Sequence, residues 1–156
     1  MALSFANDLL GIREHGDNRG PAVEMIQRAA SIPAGSPWCG ALVNAAAEYA
    51  QMVKDIRSPL EQVPLQGYVH SYYVYGSENG WVYGDKPYPG AIFLLWSEAK
   101  QRYAHMGFVG HYVGGGSFTT VEGNSNEDGS HEGREVVSRV RHRGGRDIIL
   151  DWTQTV

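Results

Sequence analysis

The stretch that most constrains this chain is Gly35-Ser36-Pro37-Trp38-Cys39-Gly40-Ala41-Leu42-Val43-Asn44, which holds its only cysteine. Pro33, Gly35, Ser36 and Pro37 break helix and favour turns. Beyond them Leu42, Val43, Ala46, Ala47, Ala50 and Val53 recur at helical spacing. They predict a long buried helix over 38–53, and its small alanines permit close approach to a sheet. Cys39 then falls at the helix start, where unpaired amides and the positive end of the dipole favour a thiolate. A lone cysteine there reads as a nucleophile or as a buried structural thiol. The rest of the chain has to decide.

A length of 156 residues predicts a single domain over 1–156, large enough for a real core. Apolar residues make up 42% and charged residues 19%, a globular balance that argues against disorder. The net charge of -4 argues against broad nucleic-acid binding, which needs a basic footprint. One cysteine makes no internal disulfide, so the fold stands on its core and a reducing compartment is acceptable. The first eight residues lack a basic region, a long apolar run and a cleavage-site pattern, so no signal peptide is expected. No stretch reaches transmembrane length, and no membrane insertion is expected. Synthesis in the cytoplasm, with release or export by other machinery, is the expectation.

The pattern predicts helices first and strands second. A short amphipathic helix is expected over 3–12, and a second over 21–30 with Pro21 at its first position. After the 38–53 helix, Pro59, Pro64 and Gly67 punctuate a connection. An aromatic-rich segment follows (Tyr68, Tyr72, Tyr73, Tyr75, Trp81, Tyr83, Tyr88), part of it helical over about 69–77. Its rings either line a groove for a sugar or peptide or pack the segment onto the domain. The continuous apolar run 91–96 predicts a central strand buried on both faces. This order is α+β, with N-terminal helices packed on a small antiparallel β-sheet.

A hairpin carries the histidine that matters. Residues 105–112 and 117–124 read as strands joined by a tight turn at Gly114-Gly115. In that register Gly107 faces Glu122, Val109 faces Thr120, and His105 faces Asn124. One face then carries His105, Glu122 and Asn124; the other carries Met106, Phe108, Tyr112 and Val121 as core. Glu122 lies diagonal to His105 at a Cα separation of about 7–8 Å, within side-chain reach. Gly107 has no side chain to block it. A carboxylate or amide on the far imidazole nitrogen fixes tautomer and orientation. A slip of one residue would throw Glu122 and Asn124 to the opposite face.

The other titratable groups read more plainly. His111 is about 20 Å further along the strand, at the hairpin tip. His15, His131 and His142 have loop or edge surroundings, and His70 has no evident partner. No pair of histidines has zinc-ligand spacing, so no metal and no cofactor are expected. The polar run 124–133 either holds calcium through oxygen ligands or is a solvated loop; it lacks the alternation of a calcium hand. Two last strands are expected over 134–142 and 146–152. Arg139, Arg141, Arg143 and Arg146 read as a solvated strand edge or a patch for an anionic polymer.

Taken together, Pro37-Trp38-Cys39-Gly40-Ala41-Leu42-Val43-Asn44, Pro89-Gly90-Ala91-Ile92-Phe93, His105-Met106-Gly107-Phe108-Val109 and Glu122-Gly123-Asn124 resemble the motif series of the CHAP family. These are cysteine, histidine-dependent amidohydrolases/peptidases. Arg13-Glu14-His15-Gly16-Asp17-Asn18-Arg19-Gly20-Pro21 is similar to the lead-in of phage and bacterial cell-wall hydrolases of this type. The resemblance covers roughly residues 10–142 and rests on four motifs in order. It implies a papain-like fold and cleavage of peptidoglycan, at the N-acetylmuramoyl-L-alanine amide or within the stem or cross-bridge peptide. By position, Cys39 matches the nucleophile, His105 the general base, and Glu122 and Asn124 the polar residues that complete the site. Ala91 stands where the family often has Asp, at a position that is not catalytic. Some relatives bind calcium through acidic residues just ahead of the cysteine. Ser31 to Trp38 has none, so no such site is expected.

The expected chemistry is acyl transfer through a Cys39 thioester, with His105 as base and acid and the backbone amide of Cys39 on the oxyanion. Such a donor is worth about 3 kcal/mol. Peptidoglycan is the expected partner, met by a monomer. The rival readings are a non-catalytic wall-binding or phage structural module, and a thiol protease or acyltransferase on another substrate.

Overall fold

A computed structural model describes residues 1–84, 87–125 and 133–153. The helices come first: α1 (Ala2–Asp8), α2 (Pro21–Ala29), α3 (Cys39–Lys54) and α4 (Val69–Glu78). A single 3-10 turn, Pro59–Gln62, lies between the last two. The strands are β1 (Val82–Tyr83), β2 (Ile92–Ser97), β3 (Arg102–Gly114), β4 (Ser117–Ser125), β5 (Glu135–His142) and β6 (Ile148–Leu150). They form one sheet in the order β1-β6-β2-β3-β4-β5, with antiparallel neighbours throughout. The chain is therefore α+β, a core of five strands with the two-residue β1 at its edge. None of the described helices is long and apolar enough to cross a membrane.

Two apolar clusters sandwich the sheet. On the helix side Ile92, Leu94, Met106, Phe108, Val121 and Leu150 pack with Trp38, Leu42, Val43, Ala46 and Ala47. On the other side Ala91, Phe93, Leu95, Val109, Phe118 and Ile149 pack together. Alternate residues of β2 enter each cluster, which is why its sequence is apolar without a break. Each large side chain fully buried this way contributes about 1.5–3 kcal/mol. The alanines of α3 supply the predicted close approach. Gly123 of β4 completes it, since a Cβ there would lie 2.6 Å from the Trp38 ring.

Four sequence expectations are corrected. The first helix ends at Asp8 rather than running to residue 12. The backbone of Gly11 and Ile12 instead bonds Val136, and Glu14 N–H donates to Arg134 O. The chain there extends the sheet beyond β5, because an exposed edge offers unpaired groups that a helix end does not satisfy. The hairpin turn is Gly115-Gly116, not Gly114-Gly115, since Gly114 pairs with Ser117. Two register shifts between Val109 and Gly114 absorb the difference. Further down, Phe108 faces Val121 and Val109 faces Thr120, as predicted. Tyr112, expected in the core, is 40% exposed at the irregular end. The last two strands are also shorter than expected, at Glu135–His142 and Ile148–Leu150.

The aromatic segment mostly packs. Tyr72 and Trp81 are buried, Tyr75 meets Trp81 edge to face, and Tyr73 leans on Tyr103. Tyr68 remains 40% exposed.

Candidate active site

Cys39 opens α3. The N-cap residue, Trp38, offers no side-chain cap to the first turn, so its amides remain directed at whatever occupies the helix start. Three buried polar contacts fix that start. Gln27, fully buried on α2, donates to Asn18 O and Ser36 O, both at 2.8 Å, and braces the loop ahead of the cysteine. Trp38 Nε1 donates to Glu14 Oε1 at 2.6 Å. Asn44 Nδ2 donates to Gly40 O and Gln66 O, both at 3.0 Å, and also bonds the Tyr72 hydroxyl. The alternation of apolar residues carries no signal for these contacts, because each joins elements distant in sequence.

His105 sits on β3, opposite Leu95 of β2. Its Nε2 donates to Glu122 Oε2 at 2.6 Å, and both side chains are buried. The predicted diagonal pairing is therefore present. Gly107 makes room for it: a Cβ there would lie 2.7 Å from Val121 O and 2.9 Å from Glu122 Cβ. With Nε2 committed to Glu122, Nδ1 is the nitrogen left to face Cys39, and the thiol and the imidazole interact electrostatically.

The electrostatics follow from these contacts. Burial pushes the Cys39 thiol up, but the hydrogen bond to His105, the imidazolium charge and the N–H groups of Met106 and Gly40 outweigh it. The thiol ends below its ordinary value. Burial pulls the His105 pKa down, yet the hydrogen bonds and charges of Cys39 and Glu122 push it up to about 9. Burial also opposes ionisation of Glu122, but His105 and Arg141 hold its carboxyl far below the usual carboxylate range. Near neutral pH Glu122 is a carboxylate and His105 holds its proton, and that imidazolium favours the thiolate form of Cys39.

Asn124 goes elsewhere. A register shift between Glu122 and Ser125 and a φ of 53° carry its amide to the cleft wall. There its nitrogen donates to Gly133 O at 2.7 Å, with Asn18 Oδ1 at 3.0 Å and Glu14 Oε1 at 3.1 Å. This corrects the expectation that Asn124 faces His105, and the bulge is its cause. Asn124 and Cys39 still line one cleft of about 360 Å³, together with Glu14, Asp17, Lys100 and Arg134.

Sequence reasoning missed Glu14, which joins Trp38, the Asn18 amide at 3.0 Å and Asn124. It also missed Thr120 and misread Arg141. Arg141 is not on a solvated edge: it grips Glu122 through Nε at 2.8 Å and Nη2 at 2.5 Å. The available signal was parity, since Val137, Arg139 and Arg141 alternate onto one face of β5.

The other described histidines have surroundings of their own. His70 Nδ1 accepts from Tyr103 N–H at 3.3 Å. His111 and His142 pair with Thr119 and Ser117 at the exposed hairpin end, and His15 is exposed. His131 and the polar run read as a calcium loop or solvated loop, 126–132 within it, lie outside the described residues. Among the described residues no three His, Cys, Asp or Glu side chains are grouped to hold a metal ion.

Compared with family models, with curated proteins and with solved structures, the chain matches none.

Proposed function

We propose that this chain is a papain-like cysteine amidohydrolase that cleaves an amide bond of bacterial peptidoglycan, acting on the wall after release or export. One observation carries the reading. A helix-start thiol, an imidazole and a buried carboxylate line up as Cys39, His105 and Glu122, with the carboxylate 2.6 Å from Nε2. A structural thiol needs neither partner. The cleft beside the thiol carries both charge signs, with Glu14 and Asp17 alongside Lys100 and Arg134. That mixture suits a stem or cross-bridge peptide, which bears free amines and carboxylates.

In the mechanism, the Cys39 thiolate attacks the carbonyl carbon. The oxygen gains charge as the carbon becomes tetrahedral. The backbone N–H of Cys39, at the start of α3, stabilises it, worth about 3 kcal/mol. Protonated His105 then gives its proton to the departing amine as the C–N bond breaks, leaving a thioester. Neutral His105 takes a proton from water, whose oxygen attacks the thioester. The acid is released, and the thiolate–imidazolium pair returns. Glu122 keeps Nδ1 aimed at the sulfur throughout and balances the imidazolium.

The test is direct. Purified peptidoglycan is incubated with wild type and with Cys39→Ala, and the fragments are read by mass spectrometry. New amine termini from wild type alone support the proposal and identify the bond. No new termini from wild type overturns it.

A further inference from the structure

Behind the candidate triad stands a fourth charged side chain. Glu122 pairs across the sheet with Val137 of β5. Arg141, four residues beyond Val137 on the same face, runs its side chain back past Thr120 to the carboxylate. Both its Nε and Nη2 donate there, at 2.8 and 2.5 Å. Thr120 Oγ1 donates to the same Oε1 at 2.6 Å. The Arg141 side chain is 13% exposed and Glu122 fully buried. The guanidinium lies 5.7 Å from the centroid of the Phe93 ring, on the side of the sheet away from the helices. This is the forked geometry that suits arginine better than lysine.

We propose that Arg141 is a positioning residue for the nucleophile: by neutralising Glu122 from behind, it lets the buried Cys39–His105 pair stand as thiolate and imidazolium. The proposal deepens the hydrolase reading but depends on it only through that pair.

The argument is a charge count in a dry site. Cys39, His105, Glu122 and Arg141 alternate in sign and sum to zero. They also sum to zero when the proton sits on sulfur and the imidazole is neutral. Without Arg141 both arrangements carry one net negative charge, and an uncompensated buried charge is costly. The site then regains neutrality by taking up a proton, which makes the neutral thiol beside an imidazolium. Of the other groups facing these residues, Thr120 is neutral and Phe93 and Leu95 of β2 are apolar. Arg139, opposite Thr120 on β5, is a further cation on that face; the two forked bonds to Glu122 are made by Arg141.

The test reads thiol chemistry, not hydrolysis. Alkylation of Cys39 by iodoacetamide is followed from pH 4 to 9 by mass spectrometry in wild type, Arg141→Gln and Arg141→Lys, with folding checked by circular dichroism. The acid limb should move up by about one unit in Arg141→Gln, so that alkylation at a pH well below the wild-type limb is about tenfold slower. Arg141→Lys keeps the charge and should return the rate to within about twofold of wild type. A purely structural role would lower the stability of both variants and leave the acid limb in place. A wild-type limb in folded Arg141→Gln overturns the proposal. If that variant does not fold, Arg141→Met takes its place, with a raised limb supporting the proposal and a wild-type limb overturning it. An Arg141→Lys limb displaced by a full unit despite the retained charge also overturns it. A protein that cleaves no peptidoglycan yet shows these shifts sinks the hydrolase reading and keeps this one.

Discussion

His105 Nε2 lies 2.6 Å from Glu122 Oε2, and the two residues, 17 apart in sequence, are both buried. Arg141 and Thr120 occupy the remaining lone pairs of that carboxylate. Its charge is thereby set, and the imidazole is held in one tautomer with Nδ1 toward Cys39. The consequences can be measured.

Glu122→Gln keeps the shape and removes the charge. The imidazolium loses its balancing anion, so the His105 pKa falls from about 9 and the thiolate loses support. Peptidoglycan cleavage should drop by about 10²-fold or more, as expected when a triad carboxylate is neutralised. A rate within threefold of wild type would contradict the orienting role.

The same carboxylate gives an acid-stability signature. Its folded pKa is depressed, so its contribution is present above the unfolded value near 4.5 and is lost as pH falls toward the folded one. Wild type should exceed Glu122→Gln in Tm at pH 7, and the gap should close toward pH 3. A gap of constant size across that range would remove the linkage.

Cleavage should also follow a bell in pH. The ascending limb tracks ionisation of Cys39 below its ordinary thiol value. The descending limb lies near 9, where His105 loses the proton that the leaving amine needs. Measuring kcat/KM from pH 5 to 10 checks this, and a descending limb near 6.5 is the contrary result.

Gly107→Ala inserts a methyl group where atoms of Val121, Glu122 and Phe93 already stand within 2.7–2.9 Å. Overpacking of this kind costs about 1–3 kcal/mol. Denaturant unfolding should show that loss, and activity should fall with it as Glu122 is pushed off His105. Wild-type values for both would mean that the hairpin opens freely.

Asn124→Asp replaces an amide nitrogen with a carboxylate oxygen against Glu14 Oε1, 3.1 Å away, and Gly133 O, 2.7 Å away. Lost hydrogen bonds and like charge should destabilise the fold by about 1–3 kcal/mol. The loss should shrink as pH falls below the carboxylate range. Equal stability of the two proteins at pH 7 would refute the placement of Asn124 on the wall.

The sequence alone determined the class of fold and brought together three members of the site. Alternation and helical spacing are local, so α3, the doubly buried β2 and the 3-4 hairpin were legible. Cys39 at a helix start and Glu122 diagonal to His105 followed from them. The predicted turn lay one residue early, and compensating bulges near the tip kept the register at Val121 and Thr120, next to Glu122.

Tertiary structure decided what depended on long-range neighbours. The bulge after Glu122 sent Asn124 to the cleft wall, and only the packing of residues 11–14 on β5 brings Glu14 to meet it. Arg141 looked like surface because its charge pattern is that of a solvated strand. It is mostly covered because β5 lies beside β4 and because a carboxylate already desolvated by His105 needs a cation within reach. Periodicity records which face a residue takes, and burial of charge depends on what the other strands bring to that face.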